Sequence, residues 1–354
     1  MSVFSVTNLS HYALAIALVM LAVFFGDRIK AMFDTKKSDE YELIRKYLLN
    51  DSPLYGYNRP KLWVHTKYEY NARVWQSFMS RSSTDLNQPY IHMTVRSIIN
   101  HCGNDFNVCL IDDNSFRQLI PGWTANIAGI PEPFKTHLRE LAMAELLYIY
   151  GGLVVPNTFV CLKNLMPLYL DGISNDTPFV CENRNRFSNS MHDTKRSAFV
   201  PDTFFMGTPK RNKEIRAYAE YLKHRNENPH FTAEPDFFGD TNEWITKEIV
   251  AGRISLMSGL SIGIKDLKGR PILLEDLMEE KDLNICPAQT YGIYIPGDDL
   301  MKRIKYQWMT VLSVEELANT NMCITKYLLM SLVPVEEVTV SEYNETEVRT
   351  VVAI

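Results

Sequence analysis

The chain has 354 residues, 46% of them hydrophobic and 22% charged, which suits one large α/β domain with embellishments or two small ones. A net charge of -5 argues against broad nucleic-acid binding, which needs a basic face, so no nucleic-acid partner is expected, while a local basic patch stays open. The six cysteines (Cys102, Cys109, Cys161, Cys181, Cys286 and Cys323) show no Cys-x-x-Cys and no paired His spacing, so they read as reduced structural thiols and not as a metal or redox cluster.

Residues 12–25, YALAIALVMLAVFF, are an uninterrupted apolar run. A bilayer span needs roughly 20 apolar residues, and shorter ones occur with local thinning. The start carries no Lys or Arg and no small-residue cleavage site follows, so an uncleaved anchor over residues 1–27 is expected, with membrane lipid as its partner; a buried N-terminal helix is the other reading. Arg28, Lys30, Lys36 and Lys37 follow the run, which puts the main domain on the cytosolic side of the membrane. Residues 28–60 are charged and turn-rich and read as a connector.

The folded domain is expected over residues 61–330. Leu62-Trp63-Val64-His65 reads as a first strand, residues 87–101 as a helix burying Ile91, Val95, Ile98 and Ile99, and residues 106–111 as a second strand. Strand, helix, strand implies a parallel unit whose ligands gather at the carboxyl ends of the strands. His65, Asp112 and Asp113 stand at those ends. His65 is read as a ligand contact or as a hydrogen-bonded strand-end histidine. The two aspartates are read as holding a ribose or as capping a helix begun at Ser115.

The most informative stretch is residues 134–165. Leu138, Leu141, Ala142, Leu146 and Tyr150 recur at helical spacing; Gly151-Gly152 stops the helix; Leu153-Val154-Val155 is a short buried strand, and Pro156 ends it. A strand at Val160-Cys161-Leu162 and another at residues 179–182 follow, then a polar loop over 183–195. Residues 201–207 read as a strand and 212–224 as an amphipathic helix. The acidic-aromatic stretch Glu234-Pro235-Asp236-Phe237-Phe238-Gly239-Asp240 precedes a helix over 241–250. Asp266-Leu267-Lys268-Gly269-Arg270-Pro271 has hairpin-turn chemistry, 291–296 reads as a strand, and Ser313-Val314-Glu315-Glu316 as a capping box. Residues 331–354 alternate acids with β-branched residues and read as a β-arm or a tail.

Leu147-Tyr148-Ile149-Tyr150-Gly151-Gly152-Leu153-Val154-Val155 resembles the core signature of GT-A-type nucleotide-sugar glycosyltransferases, nearest to the DXD-containing sugar-transferase and capsular-polysaccharide-synthesis groups. The resemblance spans roughly residues 60–240. It implies a GT-A-like, Rossmann-like α/β fold: a mixed, mostly parallel sheet flanked by helices. It also implies a nucleotide-sugar pocket lined by His65, Asp112, Asp113, Glu140, Asn157, Thr158 and Glu182, with Asp236 as the first candidate for a catalytic carboxylate, Glu234 or Asp240 behind it, and capping of the helix over 241–250 as the other reading of these acids. The charged grips depart from the family pattern. Pro156 sits where the first metal-site Asp belongs and Thr158 where the second acid or Thr belongs, and Glu140 and Met143 stand in for the upstream Asp and Arg. Hard divalent cations want charged oxygens, so no metal is expected. Cations of residues 184–196 and Lys210, Arg211 and Lys213 are the candidates to neutralise a diphosphate in its place.

Three functions follow from the resemblance, one of them a sugar- or nucleotide-binding module. Another is a membrane-anchored hexosyltransferase-like protein with a nucleotide sugar as donor and no other cofactor. The third is a catalytically inactive structural protein with protein partners, such as a minor virion component of a large DNA virus bridging an inner membrane and a protein shell.

Overall fold

The computed structural model describes residues 59–66, 88–185, 198–227 and 234–333. The expected anchor at 12–25, the connector up to residue 58 and the arm beyond residue 333 lie outside the described residues. Among the described residues, no helix is long and apolar enough to cross a membrane.

The centre is a six-stranded sheet. Strand β1 (Lys61–His65) runs parallel to β2 (Asn107–Ile111) on one side and to β3 (Gly152–Val154) on the other. Strand β6 (Phe199–Thr208) enters antiparallel between β3 and β5 (Phe179–Arg184), and β7 (Ser255–Met257) closes the far edge parallel to β5. The order is therefore β2-β1-β3-β6-β5-β7, with β6 alone reversed. This is the mixed, mostly parallel, helix-flanked sheet that the resemblance implied.

Successive residues of a strand face opposite sides, so β1 feeds two cores. Leu62 and Val64 join the side that holds helix α1 (Pro89–Cys102), and Trp63 joins the other. Helix α1 starts on a proline, whose missing N–H would have been unbonded there in any case. It buries Ile91, Val95, Ile98 and Ile99 as the spacing predicts. On the opposite side lie α3 (Phe134–Tyr150) and α5 (Lys213–Glu227). Helix α2 (Ser115–Leu119) follows β2, and α4 (Met166–Gly172) precedes β5.

Several sequence expectations are corrected. The strand expected at 160–162 is β4 (Phe159–Cys161), and it leaves the main sheet to pair antiparallel with β8 (Gly292–Tyr294). Asn183 and Arg184 belong to β5, not to a loop, because both pair with β6; residues 186–197 lie outside the described residues. Helix α6 runs from Glu234 to Val250, so the acidic-aromatic stretch forms its first turns and does not precede it. On α3, Leu138 and Tyr150 are only partly buried, whereas Ala144, Leu147 and Arg139 are buried. The helix lies between the sheet and α5, so its covered stripe is wider than one apolar face.

The C-terminal third adds α7 (Leu274–Met278), α8 (Gly297–Lys302), α9 (Val314–Ala318) and α10 (Cys323–Leu332). The capping box of α9 forms as read: Glu316 N donates to Ser313 Oγ at 3.2 Å and Ser313 N to Glu316 Oε2 at 2.8 Å. The turn at 266–271 closes on Asp266 Oδ1, which accepts from Lys268 N at 2.9 Å and Arg270 N at 2.7 Å.

Candidate functional site

The diglycine sets the geometry of the site. Gly151 has φ +68° and Gly152 φ +107°, values that L side chains resist. A Cβ on Gly152 would lie 2.1 Å from the Lys61 carbonyl oxygen, and one on Gly151 2.7 Å from Lys210 N. Trp63 Nε1 donates to the Gly151 carbonyl at 2.9 Å, tying the turn to β1. The motif is glycine because three backbones meet there. Strand β3 then delivers Pro156, Asn157 and Thr158 to the carboxyl edge of the sheet.

That edge collects most of the sequence-predicted residues. His65 ends β1, and its Nε2 lies 3.1 Å from Asp113 Oδ1. Arg139 on α3 grips Asp113 with both arms: Nε to Oδ1 at 2.8 Å and Nη2 to Oδ2 at 2.7 Å. Burial pushes the Asp113 carboxyl up, but hydrogen bonds from His65 and Arg139 outweigh it and hold the group well below the usual carboxylate range. Asp112 turns away from this cluster. Its Oδ1 accepts from Ser115 N at 2.8 Å and from Ser115 Oγ at 2.6 Å, so of the two roles read for it the structure shows the turn into α2.

Glu140 occupies a separate polar pocket between α3, β6 and α5. Its carboxyl accepts from Thr203 Oγ1 and from Tyr218 Oη, the latter at 2.9 Å. Burial raises its pKa, with the nearby Asp202 adding to the effect, while the Thr203 and Tyr218 bonds oppose them. Asp202 Oδ2 in turn accepts from Asn183 Nδ2 at 2.6 Å. Glu182 near the end of β5 is ion-paired with Lys265 and accepts from Gly259 N at 2.9 Å. Lys265 also lies 4.4 Å from the centre of the Phe199 ring. Asp236 falls in the first turn of α6, and its side chain is outside the described residues.

The segment after β3 offers few ligand atoms to a cation. Pro156 offers no ligand atom. The Asn157 carbonyl accepts from Thr94 Oγ1. Thr158 is buried, and its Oγ1 donates to the Ile295 carbonyl at 2.7 Å. Among the described residues, no group of three or more His, Cys, Asp or Glu could hold a metal ion. A divalent cation needs several anionic oxygens, so this donor set does not fit one.

Of the cations expected to replace the metal, those at 210–213 lie away from Pro156, and those at 186–196 fall outside the described residues. Lys210 packs on Gly151, Arg211 N donates to Tyr148 O at 2.8 Å, and Lys61 at the start of β1 feels the Lys210 charge. Lys210 and Arg211 therefore lie at the amino edge of the parallel strands, opposite Pro156, and Lys213 follows them directly at the start of α5. Arg184 is on the carboxyl edge, with Nη2 3.0 Å from Asp299 Oδ2.

Sequence reasoning missed Arg139, Asp202, Thr203, Tyr218 and Lys265. For Arg139 a signal existed: an arginine on the inner stripe of a helix whose partner strand ends in two aspartates. For the Thr203–Tyr218 pair there was none, because the contact joins residues 63 and 78 positions from Glu140.

No protein-family model and no curated protein matches the sequence. Among solved structures, the apo-form glycosyltransferase GlyE of Streptococcus pneumoniae TIGR4 is similar at 10% identity and TM-score 0.33, over 57% of this chain and 46% of that one. The PaToxG glycosyltransferase is similar at 11% identity and TM-score 0.30, over 55% of this chain and 72% of that one. The galactosyltransferase LgtC, in complex with donor and acceptor sugar analogues, is similar at 10% identity and TM-score 0.30, over 56% of this chain and 74% of that one. The chain thus spans less than half the length of GlyE. Likeness this partial says nothing of activity.

Proposed function

We propose that this chain is a glycosyltransferase-like protein whose domain serves as a structural or binding unit and does not perform metal-dependent sugar transfer. The observation that carries this reading is the Thr158 hydroxyl, buried and donated to the Ile295 carbonyl at the position where the resemblance places a cation ligand. Around it, the carboxylates that could grip a nucleotide sugar are already engaged within the fold: Asp113 by Arg139, Glu182 by Lys265, Glu140 by Thr203 and Tyr218. A buried polar group that has its partners gains little from a ligand and loses existing bonds by turning to one. The expected membrane anchor at 12–25 and a cytosolic-side position beside a protein layer, as in a virion, belong to this proposal.

The test is calorimetric titration of the full chain with UDP- and GDP-sugars, with and without Mn²⁺, alongside sugar-nucleotide hydrolysis by the wild type and Asp236→Ala. The proposal expects no Mn²⁺-dependent gain in affinity and the same background hydrolysis in both proteins. Turnover that needs Mn²⁺ and disappears in Asp236→Ala would replace it with the transferase reading.

A further inference from the structure

Residues 297–311 form a strap on the surface of the α1-side core. Its inner residues Leu300, Tyr306 and Met309 are buried and anchor it to the core. Its outer residues Met301, Ile304, Trp308 and Val311 are exposed, Ile304 to 85% and Trp308 to 45%. Met301 lies on α8, Ile304 in the following turn, and Trp308 and Val311 on the short 3-10 helix Gln307–Val311. A row of apolar side chains held outward by a buried anchor gains nothing in water and marks a contact surface.

The charges around the row identify the partner. From Leu300 to Leu312 the chain holds Lys302, Arg303 and Lys305 and no acid, within a protein of net charge -5. All three cations are exposed. Arg303 meets Glu275, and Lys305 lies 5.0 Å from the centre of the Tyr306 ring. Asp298 and Asp299 stand ahead of the segment, Asp299 paired to Arg184, and Glu315 and Glu316 behind it. Tryptophan and aliphatic side chains interleaved with Lys and Arg suit the headgroup layer of an anionic membrane: the apolar tips enter the acyl boundary while the cations meet lipid phosphates and carboxylates.

We propose that the Met301–Ile304–Trp308–Val311 row, with Lys302, Arg303 and Lys305, is a membrane-docking surface of the folded domain that selects anionic lipid, separate from the apolar run at 12–25. It holds the domain flat on the leaflet. The inference stands whether or not the domain transfers sugar.

The test is amide hydrogen exchange of the full chain reconstituted into lipid nanodiscs of pure phosphatidylcholine or of phosphatidylcholine with phosphatidylserine. The run at 12–25 and the cations at 28–37 are common to wild type and Ile304→Asp, so the difference between the two proteins on the anionic discs reports the row. Each cation brought to an anionic surface is worth about fivefold in affinity, so exchange across 300–311 should slow several-fold with phosphatidylserine. The slowing should vanish in 0.5 M salt and in Ile304→Asp, an exposed change whose unaltered melting temperature would show that the fold is intact. Equal exchange on the two lipids would overturn the proposal. So would slowing in lipid-free protein that grows with protein concentration, because a second copy would then cover the row.

Discussion

Asp113→Ala should destabilise the domain by about 3 kcal/mol. The Arg139 side chain is 7% exposed and Asp113 20% exposed, so the pair is mostly dry. Removing one member of a buried pair leaves the other charge without a counter-ion, at roughly 3–5 kcal/mol. The partial exposure of Asp113, and Glu132 at 3.5 Å from Arg139 as a second, solvent-exposed carboxylate, place the effect at the low end. At roughly 2–4 °C per kcal/mol for a domain of this size, the melting temperature should fall by about 6–12 °C. The sign of the pH dependence follows from the lowered pKa of Asp113. A depressed carboxylate adds stability that is complete above its unfolded pKa near 4 and is lost as pH falls below it. Urea titrations at pH 7 and pH 3 should therefore show wild type and Asp113→Ala converging in acid. The double variant Asp113→Leu/Arg139→Met replaces the pair by apolar groups of similar volume and should recover most of the loss at pH 7. A fall of less than about 2 °C for Asp113→Ala would refute the assignment of a buried, mutually dependent pair.

Gly152→Ala should lower stability by about 4 kcal/mol or more, visible as loss of soluble protein, because its Cβ would meet the Lys61 carbonyl at a positive φ. Glu140→Gln should raise the melting temperature at pH 8 by about 2–4 °C, or ~1 kcal/mol, and leave it unchanged at pH 4: burial first, then Asp202, raises the Glu140 pKa, so the wild type loses stability as pH rises above the unfolded value near 4.3. Burial holds His137, stacked on Phe237 at 3.6 Å, down to about 4. Stability should thus fall as pH drops from about 6.5 to about 4, and urea midpoints of His137→Gln should lack that slope.

The elements with strong local signals were legible in the sequence. The diglycine stop, the apolar strands β1, β2 and β3 and the Ser313 capping box each carry their own cause within a few residues. The carboxyl-edge placement of His65 and Asp113 was also legible, because strand-helix-strand order fixes which ends converge. What failed depended on distant partners. Nothing in Val160-Cys161 announces that its edge belongs to residues 292–294. Lys210 and Arg211 read as phosphate ligands by charge, yet the reversal of β6 carries them to the other edge of the sheet. The helix reads as starting at Thr241, but Phe237 packs into the α3–α5 side and α6 begins seven residues earlier.

The β4–β8 pairing has a consequence for synthesis. Phe159 pairs with Tyr294, 135 positions later in the chain, and Thr158 bonds to Ile295. The segment just past the diglycine therefore waits for its neighbour while the ribosome adds the intervening residues, roughly 7–27 s at common elongation rates of about 5–20 residues per second. Until then Phe159 and Val160 present an unpaired, apolar edge. A nascent chain halted before residue 292 is the form most exposed to aggregation and the one on which a chaperone would act.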